Sequence, residues 1–343
     1  MLPFVLALVC IAALNIYVNP FRLYWSMRFD AAATNLRLQK YELAQRMQPP
    51  PQTVILGSSR VMAMDPADIE RYLPGPCFNF GMQAGAAEDY YAALLSLTEG
   101  AGLPIRNVVL GIDLEAFNPS APTIYESRYF PEFSRYLIHT PLARARLSDQ
   151  LGLLMSMQQT DESLNVLRRA FRRELDVELV SIEPNGKAIQ IAREQAIAAG
   201  TFDLQRIIAS RVRKYPSRSL RLGGYKRVDP VRLLYLDDLL NYCDEHGIRV
   251  YAFITPYHPR LWDVLDQLPE AAILNDVKAQ VQEHLAAHGV ELHDFSHIVS
   301  FGGDPQQFYD EIHMRPDNIH RVVEALFGGT AALQARQGSD AVH

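Results

Sequence analysis

The sequence has little cysteine, no excess of positive charge and only one long apolar run, and each shortage removes a class of protein. Three cysteines in 343 residues, one of them (Cys10) inside the apolar run, cannot build a disulfide framework. Cys77 and Cys243 can pair only if the fold brings them together, and Cys77 falls in a predicted buried strand. A net charge of −6 argues against nucleic acid as the main partner, a role that usually needs a basic domain. A mean hydropathy of −0.07 with a single long apolar run excludes a polytopic membrane protein. No internal repeat or low-complexity tract is present. With 48% hydrophobic and 21% charged residues the chain is neither disordered nor collagen-like. What remains is a globular chain long enough for one large or two modest domains with a sizeable core.

The apolar run covers Leu2–Val18, with Asn15 its only strongly polar member. It sits at the lower limit of the roughly 17–25 residues that cross a bilayer, and Tyr17 at its end with Tyr24 and Trp25 after it are placed as an interfacial belt would be. A cleaved signal peptide would want a basic leader and a small-residue cleavage site, and neither is clear. A buried core helix is the third reading. The expectation is a single-pass membrane anchor over residues 1–20, followed by a connector over 21–51 that ends in Pro49-Pro50-Pro51. Arg22, Arg28, Arg37, Lys40 and Arg46 all follow the run. Taken literally, they place the main domain in the cytoplasm.

Beyond the connector, strand and helix signals alternate. Thr53–Leu56, residues 77–82, Asn107–Ile112, Arg249–Ile254 and residues 291–295 read as strands. Helices are expected after Asp65-Pro66, over 88–97, after Asp229-Pro230 with Leu233, Leu236, Leu240 and Cys243 on one face, over about 267–287, and over 316–326. This alternation predicts βαβ units, a five-stranded parallel sheet and a three-layer α/β sandwich over 52–327, with a flexible tail over 328–343. Residues 118–226 carry helical, Arg-rich and loop sequence without a clear strand, far more than a crossover needs. They read as a helical insertion placed after a strand's C-terminal end, the side where open α/β sheets bind ligands.

Two short motifs carry chemistry. Gly57-Ser58-Ser59-Arg60 directly follows the first strand, where a serine at a tight strand-to-helix turn is exposed and its N–H points where an oxyanion develops. Alone, it also reads as an ordinary turn with a serine cap. Asp310-Glu311-Ile312-His313 precedes the last helix, and a carboxylate three residues before an imidazole can orient it toward a serine.

Together these motifs resemble the SGNH (GDSL-like) hydrolase superfamily, whose fold is an α/β sandwich. Asn79-Phe80-Gly81-Met82-Gln83-Ala84-Gly85 is similar to the second block of that family, and Leu110-Gly111-Ile112-Asp113 to the third. Asn19-Pro20-Phe21 after the apolar run is similar to the membrane-anchored branch that includes the D-alanyl transfer and alginate-acetylation proteins. The resemblance covers about residues 53–117 and 229–327. It implies Ser59 as nucleophile, His313 as general base, Asp310 as its orienter, and the backbone N–H groups of Ser59 and of Ala84 or Gly85 as oxyanion donors. It implies no cofactor and no metal. One position departs from the family: the third block usually supplies an Asn amide to the oxyanion, and this chain has Asp113. Asn118 is the expected substitute, unless Asp113 is protonated or turned away.

Lesser features complete the list. Tyr257 and His258 end the fourth strand and are candidates to rim the cleft, or to pack as loop residues. His293 and His297 have a spacing that suits a metal on a helix, but they begin in a predicted strand. The basic residues Arg168, Arg169, Arg172, Arg173, Arg211, Arg213, Lys214, Arg218, Arg221, Lys226 and Arg227 read as a solvated face, or as a contact for lipid headgroups or an anionic polymer. The expected function is a membrane-anchored serine esterase or O-acyltransferase acting on acyl esters of a cell-envelope polysaccharide. Its domain would be extracytoplasmic on the inner membrane, and its partners other envelope-polysaccharide proteins. The alternatives are a non-catalytic glycan-binding module on the same fold and a cytoplasm-facing lipid esterase.

Overall fold

The computed structural model describes residues 2–19, 36–121, 130–139, 154–155, 157–172, 180–217, 222–268 and 271–340. Pro20, Phe21, Arg22, Tyr24, Trp25, Arg28, Arg173, Arg218 and Arg221, all of which carried expectations, lie outside these residues.

Five strands form one parallel sheet: β1 (Thr53–Leu56), β2 (Cys77–Asn79), β3 (Asn107–Ile112), β6 (Arg249–Ile254) and β7 (Leu292–Asp294). Their order is β2-β1-β3-β6-β7, with β1 between β2 and β3. Thr53 pairs with both Cys77 and Asn107, and Gly111 with Phe253. The continuous burial of β1 and β3 is what a parallel sheet covered on both faces requires. This order reverses direction beside β1, so a crevice opens at the C-terminal ends of β1 and β3.

Helices cover both faces. The described helices of the chain are α1 (Leu2–Val18), α2 (Leu36–Arg46), α3 (Pro66–Ile69), α4 (Ala87–Leu95), α5 (Met157–Arg172), α6 (Ile191–Ala198), α7 (Leu204–Val212), α8 (Pro230–Glu245), α9 (Pro259–Leu265), α10 (Ala271–Ala287) and α11 (Pro316–Asp340), with short single turns elsewhere. α4 and α10 pack against α8 on one face, and α3 meets α11 on the other. There Tyr72 and Tyr251 both sit against the Phe327 ring, at 5.2 and 5.1 Å between centroids. Asp65 caps α3, accepting from the Ala67 N–H at 3.0 Å, and Asp229 caps α8, accepting from Val231 at 2.9 Å. The expected face of α8 is buried at Leu233, Leu236, Leu240 and Cys243. Cys77 and Cys243 are free and buried, and Cys10 is free and exposed.

Three features differ from the sequence reading. The second strand ends at Asn79 rather than at Met82, because the Asn79 side chain leaves the ladder and its Nδ2 donates to the carbonyls of Val61 and Met64 at 2.8 and 2.7 Å. The insertion contains an antiparallel hairpin, β4 (Ser181–Ile182) with β5 (Ala188–Ile189), too short to show any periodicity. The last helix runs on to Asp340 instead of stopping at 326.

Among the described residues no helix is long and apolar enough to cross a membrane. α1 has 17 residues, about 26 Å at 1.5 Å per residue, against a hydrocarbon core of roughly 30 Å. Its C-terminal end packs on α5, where Val18 and Val166 are buried together. Asn15, the one polar residue of the run, donates to the Thr160 hydroxyl at 3.0 Å and accepts from the Ser163 hydroxyl at 2.8 Å.

The β4–β5 hairpin lies against the edge strand β2. The Asn79 N–H donates to the Asn185 carbonyl at 2.9 Å, the Ala188 N–H to Met62 at 2.7 Å, and Lys187 pairs with Asp65 at 2.5 Å. Gly186 makes this approach possible, since it has φ +83° and a Cβ there would lie 2.2 Å from the Asn79 carbonyl oxygen. Gly186→Ala is therefore expected to lower unfolding stability by at least about 1 kcal/mol, read from the urea midpoint.

Candidate active site

The nucleophile turn is built on glycines. Gly57 has φ +153°, and a Cβ there would lie 2.8 Å from the Gly111 carbonyl oxygen on β3. The turn closes with the Val61 N–H on the Ser58 carbonyl at 3.2 Å and the Arg60 N–H on the Ser58 hydroxyl at 3.2 Å. Ser58 is buried, whereas Ser59 is half-buried.

Ser59 Oγ lies 2.9 Å from His313 Nε2. On the far side of the ring, His313 Nδ1 lies 2.8 Å from Asp310 Oδ1 and 2.9 Å from Oδ2. Asp310 is fully buried, and its Oδ1 also accepts the backbone N–H groups of Ile312 and His313. Burial alone would raise its pKa. The His313 ring, the Arg193 guanidinium and the Ile312 N–H overcome that and hold it well below the usual carboxylate range. An ionised carboxylate only accepts, so Nδ1 carries the ring proton and Nε2 is left to accept from the serine.

Two further groups on Asp310 had no sequence signal. Arg193 of α6 donates to Oδ2 at 2.8 Å and Arg211 of α7 at 3.1 Å, while Arg211 also lies 3.7 Å from Glu311. Arg211 was expected on a solvated face; it instead joins the insertion to the triad carboxylate. Arg213, Lys214, Lys226 and Arg227 are exposed, as that reading expected. The side chains of Arg168, Arg169 and Arg172 lie outside those described.

The loop after β2 is the candidate oxyanion loop. The Met82 N–H donates to the Gly57 carbonyl at 2.9 Å, which seats the loop on the nucleophile turn. Gly85 N–H is engaged with the Met82 carbonyl at 3.2 Å. Of the two expected donors, Ala84 is therefore the available one: among the described residues neither its N–H nor that of Ser59 has an acceptor. Ala84 sits at φ +49°, a left-handed conformation that costs a non-glycine residue on the order of 1 kcal/mol. The buried Lys40 of α2 helps to hold the loop, donating to the carbonyls of Asn79 at 3.0 Å and Gly81 at 2.8 Å. Burial lowers its pKa to about 7.

The remaining expected site residues lie elsewhere. Asp113 accepts from the Thr255 hydroxyl at 2.7 Å and lies 3.5 Å from Arg60 Nε. Arg60, the residue after the nucleophile, is buried with Glu115 at 2.9 Å, the Tyr215 hydroxyl at 2.8 Å and the Tyr257 ring 4.3 Å from its guanidinium carbon. Asp113 is thus a counter-ion of Arg60 rather than an oxyanion donor. Asn118 does not replace it: its side chain caps a turn by accepting the Ser120 N–H and donating to Gly223. Tyr257 and His258 do not rim the cleft. Tyr257 is fully buried with its hydroxyl donating to Glu115 at 2.8 Å, and His258 is buried, accepting the Arg260 N–H as the cap of α9. His297 stacks on Trp262. No group of three or more His, Cys, Asp or Glu among the described residues is arranged to hold a metal.

No family model matches the chain, and no curated protein matches it either.

Two stability measurements follow from these charges. Asp310→Asn leaves the partly exposed Arg193 without its anion and Arg211 with Glu311 alone, and should cost about 2 kcal/mol. The difference from wild type is full above the unfolded carboxylate pKa, about 3.9, and shrinks as pH falls below it. Lys40 works in the opposite sense, because between about pH 7 and its unfolded pKa the unfolded chain binds the proton and the folded chain does not. Wild type should therefore gain stability relative to Lys40→Met as pH rises from about 7 to 10, in paired denaturation curves.

Proposed function

We propose that this protein is a serine-dependent ester hydrolase or O-acyltransferase of the SGNH type. The observation that carries the reading is the unbroken Ser59–His313–Asp310 hydrogen-bond chain at the carboxyl edge of a parallel sheet. Ser59 Oγ attacks the acyl carbonyl carbon while His313 Nε2 takes its proton. The tetrahedral oxyanion is received by the N–H groups of Ser59 and Ala84. Collapse breaks the ester bond, His313 returns the proton to the departing alcohol, and the acyl group stays on Ser59. A water or a sugar hydroxyl, deprotonated by His313, then takes the acyl group and regenerates the serine. Water makes the protein an esterase, and a sugar hydroxyl makes it a transferase.

The substrate class rests on the resemblance to envelope-modifying proteins, which favours acyl esters of a cell-envelope polysaccharide, met in concert with other proteins of that system. The apolar α1 supports attachment to the inner membrane, with Leu6 and Val9 turned outward at 62% and 57% exposure. The glycan reading requires the domain to be extracytoplasmic, whereas the basic residues after α1 favour the opposite side. A reporter-fusion topology assay reads this directly, and a cytoplasmic domain would remove the polysaccharide substrate.

A second reading, a glycan-binding module with little or no turnover, is favoured by Asp113. The third-block residue is committed to Arg60 and offers the oxyanion no side-chain donor. A missing donor costs about 10²–10³ in rate.

The purified protein is expected to release p-nitrophenol from a short acyl ester, to be labelled at Ser59 by a phosphonate, and to lose both in Ser59→Ala. Equal ester turnover in Ser59→Ala overturns the assignment. Glycan binding that survives Ser59→Ala and His313→Ala, without turnover in wild type, selects the second reading.

A further inference from the structure

Helix α2 reaches the oxyanion loop with two buried basic side chains, Arg37 and Lys40, and the first of them acts on a single peptide group. Arg37 is 2% exposed; its Nη2 donates to the Gln83 carbonyl oxygen at 3.1 Å and lies 3.3 Å from Asp89 Oδ2. Asp89 also accepts the Ala86 N–H at 3.0 Å, so the guanidinium is fixed between the loop and the first turn of α4. The Gln83 carbonyl and the Ala84 N–H are the two ends of one planar trans peptide and point in opposite directions. A guanidinium held on the oxygen therefore sets the direction of the N–H. Its positive charge also draws electron density toward the oxygen, which makes the N–H a stronger donor. The left-handed φ of Ala84 gives this peptide a competing flipped arrangement, and the clamp selects against it. Lys40, one turn along the same face, holds the carbonyls of Asn79 and Gly81.

We propose that Arg37 is a positioning residue for the oxyanion hole: from α2 it orients and polarises the Gln83–Ala84 peptide whose N–H receives the developing charge. The inference rests on the Ser59 reading above, and Arg37 itself does not touch the substrate. It gives α2 a part in transition-state stabilisation, so that the hole is complete only while α2 is docked.

The test measures kcat and KM for p-nitrophenyl acetate, and the rate of phosphonate reaction with Ser59, in wild type, Arg37→Met and Arg37→Gln, alongside melting curves. Arg37→Met is expected to lower kcat and the phosphonate rate about 10- to 100-fold with KM changed by less than about threefold. Arg37→Gln, which keeps a neutral donor for the Gln83 oxygen, is expected to fall between the two. Should Arg37→Met fail to fold, Arg37→Gln carries the comparison, because loss of the charge alone still lowers kcat. Variants that acylate at the wild-type rate, or that change only KM, overturn the role of Arg37 and leave the Ser59 reading standing. Wild type that reacts no faster than Ser59→Ala overturns both.

Discussion

Among the described residues, Arg60, Asp310 and Arg37, buried ions at the carboxyl edge of this parallel sheet, each have an oppositely charged partner there. An unmatched ion there would cost several kcal/mol, a large part of a domain's net stability. Arg60 follows β1 and finds Asp113 and Glu115 after β3, Thr255 after β6 and Tyr215 in the insertion. Asp310 precedes α11 and finds Arg193 and Arg211, both from the insertion. Arg37 and Lys40 find the loop after β2. Partners so distant in sequence come together only in the finished fold, so the same requirement that stabilises the edge also preorganises the serine, the imidazole and the loop between them.

The parts legible in the sequence were those in which local chemistry and burial agree. β1 and β3 read as strands because parallel strands buried on both faces are near-continuous apolar runs, and β6 reads as one by its Val250–Ile254 run although only its last three residues are buried. Ser59 and the Asp310–His313 pair could be found because each stands within a short motif beside a strand end or a helix start. Asp113 looked like an anion facing an oxyanion because its partner, Arg60, is adjacent only in the folded sheet. Tyr257 and His258 read equally as rim or loop-packing residues because a strand's end often leads to solvent; both are buried, Tyr257 against Trp262 of α9 and His258 against Phe308.

The arginines and the lysine that brace the site were invisible for a related reason. A basic residue on a polar helix reads as solvated, and α2 shows no apolar stripe. Its buried residues, Arg37, Lys40, Tyr41 and Ala44, nonetheless share one helical face, at intervals of three and four residues. The face was periodic, but two of its members were cations, which a hydrophobic pattern does not register. The insertion reads as lying on the ligand-binding side of the sheet, but its arginines do not read as ligands of a buried carboxylate: Arg211 counts with the solvated face, and Arg193 carries no signal.

The hairpin over β2 bears on how the chain avoids sticking to itself. A parallel sheet ends in two strands with free backbone groups, and such edges recruit other chains. One edge here, β7, is only three residues long; the other, β2, is sealed where the Asn79 N–H meets the Asn185 carbonyl. The sealing residues are translated well after β2, so during synthesis that edge stays open until the ribosome has passed the hairpin. Delivery of the insertion thus closes the β2 edge of the nascent sheet, and the β3 edge is closed later, when β6 arrives.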